Sequence, residues 1–406
     1  MTTNVKSMRW HIGIFGRTNV GKSTFINWLT NQSISIVSEH PGTTTDPVEK
    51  TIELLPLGSV VLYDTAGYND ETVLGNKRLE KTSQILDRID VAMVLVNGSQ
   101  YGKPEEDWIL QLQKKQIPFL VVFNQIDRYK PDQELLKEIE EKHYSSIQLS
   151  SISSDDFIRN ALKEKLMHLL PDRDWIEKPL LEGLVRPGEL IVLVIPIDKS
   201  APKGRIILPQ QQVIREVIDL GGLSLTITPD QIPMLDVYLS RKPSLLITDS
   251  QAFETVFRLT AKDLPLTSFS ILFARQRGGF DLLLQGARQI RRLKENDKVL
   301  IMEACSHHPT TDDIGRVKLP RWLNQFLQRK VQTDIVAGHT IPPNLEEYQL
   351  VIHCGSCMLN RREVINRISR IHEKGIPVTN YGLAIAEMNG HLERAIEPLQ
   401  RSMVTV

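Results

Sequence analysis

The sequence predicts an α/β fold built on parallel sheets, and two observations carry that prediction. Apolar runs of strand length alternate with helical patterns, from residues 11–15 near the start of the chain to residues 348–352 near its end. Many of these runs end in Gly, Asp, Asn, Cys or His, which is typical of the edge where an open parallel sheet binds ligands. With 406 residues, 41% of them hydrophobic, the chain can form two or three domains.

Charge and composition argue against some classes of function. The 49 basic and 49 acidic side chains give a formal net charge of zero. The overall charge therefore does not call for a nucleic-acid partner, and we expect none. The N-terminus lacks the apolar core of a signal peptide, and no apolar run approaches the roughly 18 residues that cross a bilayer. We therefore expect no membrane span and a cytoplasmic location. The chain has 3 cysteines, and in the cytoplasm thiols stay reduced and free to bind metal.

A glycine-rich loop directly follows the first predicted strand. It has the pattern Gly-x-x-x-x-Gly-Lys-Ser and lies between strand 11–15 and a helical pattern over residues 24–29. In such a loop the backbone N–H groups surround the β-phosphate of a nucleotide, Lys22 reaches the β- and γ-phosphate oxygens, and Ser23 offers a Mg²⁺ ligand. The predicted nucleotide-binding residues of this loop are Gly16, Arg17, Thr18, Asn19, Val20, Gly21, Lys22, Ser23 and Thr24.

Two later motifs are typical of the switch segments of a GTPase. Residues 41–46 match the first switch, and we predict that the Thr44 hydroxyl completes the Mg²⁺ coordination. The predicted strand over residues 60–63 places Asp64 on the Mg²⁺ side, and it leaves the N–H of Gly67 available to the γ-phosphate. These motifs favour GTP with Mg²⁺ as the ligand of the loop.

A further motif is predicted to recognise the base. The strand-like run before Asn124 is followed by Gln125 and Asp127, and this element resembles the Asn-Lys-x-Asp motif by which small GTPases recognise guanine. The aspartate accepts hydrogen bonds from the N1 and 2-amino groups of guanine, and adenine cannot supply those donors. Gln125 replaces the usual lysine, so we expect weaker affinity with unchanged specificity. Ser150 and Ser151 complete the predicted base pocket.

Two positions bear on hydrolysis. Tyr68 follows Gly67, where Ras-like proteins place the glutamine that orients the attacking water, so slow intrinsic hydrolysis is predicted. Asn19 resembles a loop position that some GTPases of the Era and TrmE kind use to bind K⁺ in place of an arginine finger. We therefore predict K⁺-stimulated hydrolysis, with Lys22, Asn19 and Gly67 as the catalytic groups. The alternative is that Asn19 only shapes the loop.

The GTP-binding domain is predicted to cover residues 1–178. An amphipathic helix over residues 155–170 ends it, and a polar segment with several prolines and glycines follows. In residues 179–265, predicted strands alternate with helices, which indicates a small parallel sheet. This second region has no catalytic constellation, and we interpret it as a dimerisation domain, which predicts a homodimer.

The third predicted domain, residues 266–406, is expected to begin with a strand over residues 269–274. Apolar runs over residues 298–304, 331–337 and 348–352 follow, and each delivers Cys or His residues just past its end. Because the carboxyl ends of parallel strands meet at one edge of a sheet, these side chains can converge. The predicted architecture is therefore an N-terminal P-loop GTPase domain followed by two smaller α/β domains with parallel sheets.

The cysteines form a candidate metal site at that edge. A helix predicted to begin after Asn360 would direct its positive end at the site, which suits thiolates. Zinc in a tetrahedral Cys₃His set would fit, and so would a 4Fe-4S cluster with three cysteines and one exchangeable position; the spacing does not decide between them. The predicted metal ligands are Cys305, His307, His353, Cys354 and Cys357.

The order of these motifs resembles that of the HydF family of FeFe-hydrogenase maturation GTPases. A GTPase segment is followed by Cys-x-His and, further on, by His-Cys-x-x-Cys, and the match covers nearly the whole chain. The resemblance implies that Cys305, Cys354 and Cys357 hold a 4Fe-4S cluster, with His307 or His353 as candidate fourth ligands. It also implies a carrier that receives the diiron precursor of the hydrogenase H-cluster, built with the radical-SAM maturases HydE and HydG, and passes it to the apo-hydrogenase.

An alternative function keeps the same nucleotide site. A ribosome-associated or RNA-modification GTPase with a structural zinc site would share the phosphate loop and the cysteines. Era-like proteins append an RNA-binding KH module, and we find no Gly-x-x-Gly loop in helical context to match it. If the chain is instead a HydF-like carrier, Arg275, Arg277 and Lys318 are candidates to receive the anionic precursor.

Overall fold

The chain divides into two compact units, the first built around one mainly parallel sheet and the second around two parallel sheets. The units comprise residues Met1–Ile176 and Glu177–Val406. Within the residues described below, no helix is both long and apolar enough to cross a membrane. The computed structural model describes residues 9–30, 48–64, 85–97, 100–153, 155–171, 179–197, 206–304, 313–338, 341–356 and 359–404.

A six-stranded sheet forms the centre of the first unit, in the order β2-β3-β1-β4-β5-β6. The β2 strand is antiparallel to β3, and the other neighbours are parallel. Helices cover both faces of the sheet, which explains why β1 and β4 are buried along their whole length. The elements are β1 (Trp10–Gly16), α1 (Lys22–Thr30), β2 (Val48–Leu54), β3 (Gly58–Asp64), β4 (Val91–Asn97), α2 (Lys103–Lys114), β5 (Phe119–Asn124), α3 (Gln133–Glu141), β6 (Ser146–Gln148) and α4 (Asp156–Leu169).

The second unit contains two four-stranded sheets in which all strands are parallel. Their orders are β8-β7-β9-β10 and β12-β11-β13-β14. The predicted fold class is thus confirmed. The elements are β7 (Leu190–Val194), α5 (Leu208–Asp219), β8 (Leu223–Ile227), α6 (Leu235–Tyr238), β9 (Leu245–Thr248), α7 (Phe253–Leu259), β10 (Leu266–Ser268), α8 (Phe269–Arg277), α9 (Phe280–Gln289), β11 (Lys298–Glu303), α10 (Leu319–Leu327), β12 (Gln332–Ala337), β13 (Leu350–His353), α11 (Arg361–Glu373), β14 (Val378–Asn380), α12 (Tyr381–Met388) and α13 (Leu392–Val404).

The two small sheets repeat one topology. In each, the second strand of the chain lies beside the first, and the third and fourth follow on the other side. The sequence repeats as well, with Leu-Pro-Leu-Thr-Ser-Phe-Ser at residues 264–270 and Ile-Pro-Val-Thr-Asn-Tyr-Gly at residues 376–382. Each of these segments forms the last strand of its sheet and the start of the next helix. We call the two sheets, with their helices, the two repeats.

The repeats exchange helices and share one core. The α9 helix, which follows the first repeat, packs on β14 of the second, and α13 packs on β10 of the first. At the centre, equivalent residues meet, because a Cβ atom added to Gly382 would lie 2.3 Å from the Ser270 hydroxyl oxygen. The Asn380 side chain donates a hydrogen bond to the Ser270 carbonyl at 3.3 Å. One buried apolar cluster extends through both sheets.

The strand predicted over residues 269–274 is wrong, since these residues begin helix α8. The Ser268 hydroxyl accepts a hydrogen bond from the Ile271 amide at 3.2 Å and so caps the helix. The preceding strand, β10, pairs with β9 of the middle sheet, although the predicted third domain includes it. The division into three domains therefore stays a prediction, and the strand pairing favours a boundary after β10.

Candidate nucleotide and metal sites

The phosphate loop lies between β1 and α1 and has a glycine where no other residue fits. Gly21 has a φ angle of 84°. A Cβ atom there would lie 2.9 Å from the side-chain nitrogen of Asn124. Asn19 also has a positive φ angle, 67°, and its side chain is exposed. The helix begins immediately, since the Phe25 amide donates to the Gly21 carbonyl at 2.8 Å.

Lys22 lies across the phosphate loop. Its Nζ donates hydrogen bonds to the carbonyl oxygens of Gly16 and Arg17, both at 2.8 Å. Burial lowers the pKa of Lys22, and the nearby Asp64 carboxylate opposes that shift. To bind a nucleotide, the ammonium group would exchange these two carbonyls for phosphate oxygens.

Asp64 ends β3 and has an oxygen that lacks a partner. Among the residues that the structure describes, no donor reaches its buried Oδ1 atom. Burial raises the pKa of Asp64, and Lys22 partly offsets this effect. A buried carboxylate oxygen is costly unless a cation or donor satisfies it. The site therefore fits a Mg²⁺ ion on the Asp64 side, with Ser23 on the exposed start of α1 as a second ligand.

Asn124 holds the phosphate loop against the base pocket. It is fully buried at the end of β5. Its Nδ2 atom donates to the Val20 carbonyl at 2.9 Å, and its Oδ1 atom accepts from the Ser151 amide at 3.1 Å. One side chain thus connects the loop, the sheet and the serine turn that the sequence predicted.

Asp127 lies beside that connection. Its carboxylate accepts a hydrogen bond from the Ser150 hydroxyl and lies 3.7 Å from the Arg128 guanidinium. Gln125 has a φ angle of 61°, and its side-chain amide lies 3.4 Å from the Asn19 carbonyl. The structure therefore brings the predicted base-reading residues to the same edge as the phosphate loop. Thr44 and Gly67 lie outside the described residues.

One residue of this site was not predicted from the sequence. Glu105, in the first turn of α2, is fully buried and binds the Arg17 guanidinium through both of its oxygens. The two residues are 88 positions apart, so no local pattern connects them. The sequence signal that could have found it is Pro104 followed by Glu105, residue types that are typical of the first turn of a helix.

The predicted metal edge lies in the second repeat, where β11 and β13 end side by side. Met302 of β11 is in register with His353 of β13. The half-buried thiol of Cys354 accepts a hydrogen bond from the Ala304 amide at 3.1 Å. Cys305 follows Ala304 directly in the sequence, so the residue before Cys305 contacts Cys354. An amide donor to sulfur is an arrangement that stabilises a thiolate ligand.

His353 is buried, and its ring is held in place. Its Nδ1 atom lies 2.9 Å from the Cys354 carbonyl and 2.7 Å from the Ser356 hydroxyl. Burial, with a contribution from Arg367, lowers the pKa of His353 to about 3, so the ring is neutral. A carbonyl can only accept, so Nδ1 carries the proton, and Nε2, which has no partner among the described residues, keeps a lone pair.

The space beside His353 is small. A cavity of about 20 Å³ is lined by Phe273, Arg277, His353, Cys354 and Ser356, among others. This volume holds about one water molecule. Helix α11 also lines it through Val364 and Ile368, and its N-terminus is capped by Asn360, which accepts from the Glu363 amide at 2.8 Å. The predicted start of this helix is therefore confirmed.

No metal-binding cluster is complete within the described ranges, where no group of three or more His, Cys, Asp and Glu side chains converges. Cys305, His307 and Cys357 lie outside those ranges. The described part, a half-buried thiol with an amide donor beside a neutral histidine, fits a soft metal or an iron-sulfur cluster. It does not choose between zinc and iron.

The basic residues proposed to receive an anion are engaged in contacts within the protein. Arg277 is buried and donates to the Leu359 carbonyl, next to the cysteine loop. Arg275 donates to the Glu182 carbonyl at 3.1 Å, and Lys318 donates to Gln251 at 3.1 Å. Of the three, only Arg277 lines the cavity beside Cys354.

Comparison with known families gives three matches along the chain. Residues 11–125 match the model described as "50S ribosome-binding GTPase". Residues 180–278 match "Hydrogen maturase F dimerization domain", and residues 281–398 match "Hydrogen maturase F tetramerization domain". The last two matches cover one repeat each.

Individual relatives match mainly in the GTPase segment. GTPase Era of Halothermothrix orenii is 34% identical over 196 residues, which cover 45% of this chain and 66% of that protein. The tRNA modification GTPase MnmE of Heliobacterium modesticaldum is 39% identical over 121 residues, which cover 29% of this chain and 25% of that protein. The chain thus spans no more than 66% of the length of these relatives.

Solved structures are similar at lower identity. A crystal structure of Aquifex aeolicus Era bound to GDP.AlF4- is 20% identical with a TM-score of 0.34, and the alignment covers 54% of this chain and 91% of that one. The G domain of the T. maritima FeoB iron transporter is 17% identical with a TM-score of 0.32, covering 40% of this chain and 98% of that one.

The N-terminal match contains the strand and the phosphate loop described above and ends at Gln125, within the base-reading element; the first unit is a P-loop GTPase domain. The other two matches occupy nearly all of the second unit. The chain belongs to the hydrogen maturase F family.

Proposed function

We propose that this protein is a GTP-dependent carrier that binds an iron-sulfur cluster and delivers the diiron precursor of the FeFe-hydrogenase H-cluster to the apo-hydrogenase. The observation that carries this proposal is the hydrogen bond from the amide of Ala304, the residue before Cys305, to the thiol of Cys354. Because β11 and β13 are neighbouring parallel strands, the cysteines that follow them in sequence are expected at one edge of the sheet.

The nucleotide half of the proposal assigns a role to each predicted residue. Lys22 binds the β- and γ-phosphates, and Ser23, Asp64 and Thr44 surround Mg²⁺. The Gly67 amide binds the γ-phosphate, and Asn124 and Asp127 hold guanine. No glutamine follows Gly67, so hydrolysis is slow.

Potassium is proposed as the activator of hydrolysis. The exposed Asn19 side chain projects from a loop residue in the left-handed region, and this supports a site for a monovalent cation beside the phosphates. GTP turnover is expected to rise in KCl relative to NaCl, and the Asn19→Ala variant should lose that difference. Equal wild-type rates in the two salts would contradict the role of K⁺.

The cluster half assigns Cys305, Cys354 and Cys357 as the ligands of a 4Fe-4S cluster. When bound, a cluster with three thiolate ligands leaves one iron with an exchangeable position. His307 and His353 are the candidate fourth ligands. The neutral ring and protonated Nδ1 of His353 support a ligand role for Nε2. Because the ring is buried, an iron bound to Nε2 would have to lie within the fold.

The proposed partners are the maturases HydE and HydG and the apo-hydrogenase. A precursor with CO and cyanide ligands is anionic, and Arg277 places a buried cation next to the cysteine loop. We assign Arg277 to the electrostatic stabilisation of that loop when it carries an anion. Neither nucleic acid nor a membrane takes part, and the protein acts in the cytoplasm.

A homodimer is proposed through the first repeat. Its edge strand β8 has exposed backbone on one side, and Leu223 is 60% exposed. Val237 and Tyr238 of α6 are 80% and 71% exposed. An apolar edge strand of this kind pairs readily with a second copy. We expect Leu223→Lys with Val237→Lys to convert the dimer to a monomer in light scattering, and a monomeric wild type would contradict the proposal.

Anaerobic purification tests the carrier proposal. We expect a brown protein with a broad absorption band at about 400 nm and stoichiometric iron and sulfide. The absorption band and the iron and sulfide content should all fall in Cys354→Ser. Lys22→Ala is the matched control, because it should abolish GTP binding and leave the iron content unchanged. A colourless protein with stoichiometric zinc would instead support the RNA-associated alternative.

A further inference from the structure

An ion pair between the half-buried Arg17 and the buried Glu105 connects the phosphate loop to helix α2. The Arg17 Nε atom lies 2.8 Å from Glu105 Oε1, and the Arg17 Nη2 atom lies 2.7 Å from Glu105 Oε2. The side chain of Glu105 is 1% exposed and that of Arg17 is 23% exposed. Two parallel charge-assisted bonds fix both the distance and the orientation of the guanidinium group.

Glu105 is itself fixed in place. Its Oε2 atom also accepts a hydrogen bond from the Gly102 amide at 3.0 Å, at the start of α2. The next turns of this helix bury Trp108, Ile109 and Leu112 in the core of the first unit. The carboxylate therefore belongs to a rigid element and cannot follow a movement of the loop.

Arg17 carries one of the carbonyl groups on which Lys22 rests. Lys22 Nζ bonds to the carbonyl oxygens of Gly16 and Arg17, so these groups must release it when a nucleotide binds. Without another attachment, the loop would then lose two of the bonds that hold its first turn. The Arg17 side chain supplies an attachment at the start of the loop, because its contact with Glu105 does not involve Lys22, while Asn124 holds the loop further on at Val20.

We propose that Glu105 is a positioning residue for nucleotide binding, which acts through Arg17 to keep the phosphate loop in its binding conformation. The proposal rests on the proposed binding and hydrolysis of GTP. Glu105 does not contact the nucleotide, and its effect is on affinity. A loop that must first be ordered binds more weakly, since the ordering free energy is subtracted from the binding free energy.

Two conservative substitutions separate this role from a merely structural one. Glu105→Gln keeps the shape of the side chain and removes its charge. Arg17→Lys keeps the charge and removes the planar fork that two parallel bonds require. If Glu105 acts through Arg17, both variants lose the same interaction, and the double variant is no worse than either single one. Glu106→Gln, at the exposed neighbouring position, is the matched control.

The experiment measures binding of a fluorescent GDP analogue and steady-state GTP hydrolysis with the full-length protein. For Glu105→Gln and for Arg17→Lys we expect Kd and KM to rise about tenfold while kcat changes by less than about twofold. Glu106→Gln should match the wild type. Unchanged affinity in Glu105→Gln, or losses that multiply in the double variant, would overturn the proposal.

Two further measurements distinguish a failure of the positioning role of Glu105 from a failure of the proposed nucleotide site. Lys22→Ala should abolish binding of the analogue, and a wild-type protein that binds no GDP would refute the nucleotide site itself. Thermal unfolding of Glu105→Gln, without nucleotide, reports on stability alone. A lower Tm with normal affinity at 25 °C would make Glu105 a structural residue and overturn its positioning role.

Discussion

At the residue scale, specificity for guanine is predicted to depend on Asp127. We expect Asp127→Asn to weaken GTP binding by more than about tenfold, because the amide nitrogen replaces a charged acceptor of the N1 and 2-amino protons. Xanthosine triphosphate, which has a carbonyl at the 2 position, should bind the variant better than GTP. Competition binding with the two nucleotides measures this change. An unaltered preference for GTP would contradict the assignment of Asp127.

The sequence was informative for residues that belong to contiguous motifs. Asn124 and Asp127 follow a predicted strand within one short segment, and the structure places them at the expected edge. Glu105 could not be found in that way, because its partner Arg17 is 88 residues away and the contact depends on how α2 packs. The burial of His353 was also unpredictable, since a histidine at the end of a strand can face either solvent or the core.

At the element scale, helix α8 shows why a short apolar run is ambiguous. Most of its residues are buried, so it lacks the polar face that gives a helix its period, and the run 269–274 has the length of a strand. The serine that caps it, Ser268, was a usable signal. The same arrangement of a short strand, a capping residue and a helix recurs at Asn380, which accepts from the Leu383 amide at 2.9 Å.

The contact of helix α9 with β14 leads to a prediction for Gly286. A Cβ atom there would lie 2.0 Å from the Val378 carbonyl oxygen, which is backbone within a sheet and cannot retreat. We expect Gly286→Ala to lower the free energy of unfolding by about 2 kcal/mol, despite the roughly 1 kcal/mol that alanine gains over glycine in a helix. Urea unfolding measures this loss.

Gln285→Ala is the control for that substitution, because Gln285 is exposed on the same helix. Its free energy of unfolding should stay within about 0.5 kcal/mol of the wild-type value. If Gly286→Ala were as stable as this control, α9 would not lie on β14 as closely as the structure indicates.

At the scale of the whole molecule, the two repeats are predicted to fold together. A fragment of residues 179–265, the predicted dimerisation domain, lacks both α8 and α13, which cover its sheet. It also lacks the contact of Arg394, which donates to the Leu264 carbonyl at 3.3 Å. We expect this fragment to show no cooperative unfolding transition, whereas residues 179–404 show a single one. Circular dichroism during urea titration compares the two.

Separate transitions for the two repeats within residues 179–404 would contradict a shared core.

The repetition was visible in the sequence, because residues 264–270 and 376–382 match in pattern, and a search for internal similarity would have found it. The exchange of α9 and α13 between the repeats was not visible in the sequence, because it depends on the direction in which the turn before each helix leads the chain. Gly278 and Gly279, with φ angles of 95° and 72°, form the turn that sends α9 to the second sheet.

The edge that carries Cys354 ends a sheet whose central strands are packed in an apolar core. Ile301 and Ile352, in register on β11 and β13, are both fully buried, and apolar packing of this kind supplies the folding free energy. Small zinc-binding domains differ, because they unfold when their metal is removed. Because apolar packing supplies this free energy, we expect folding of the second unit not to depend on a group bound at its edge.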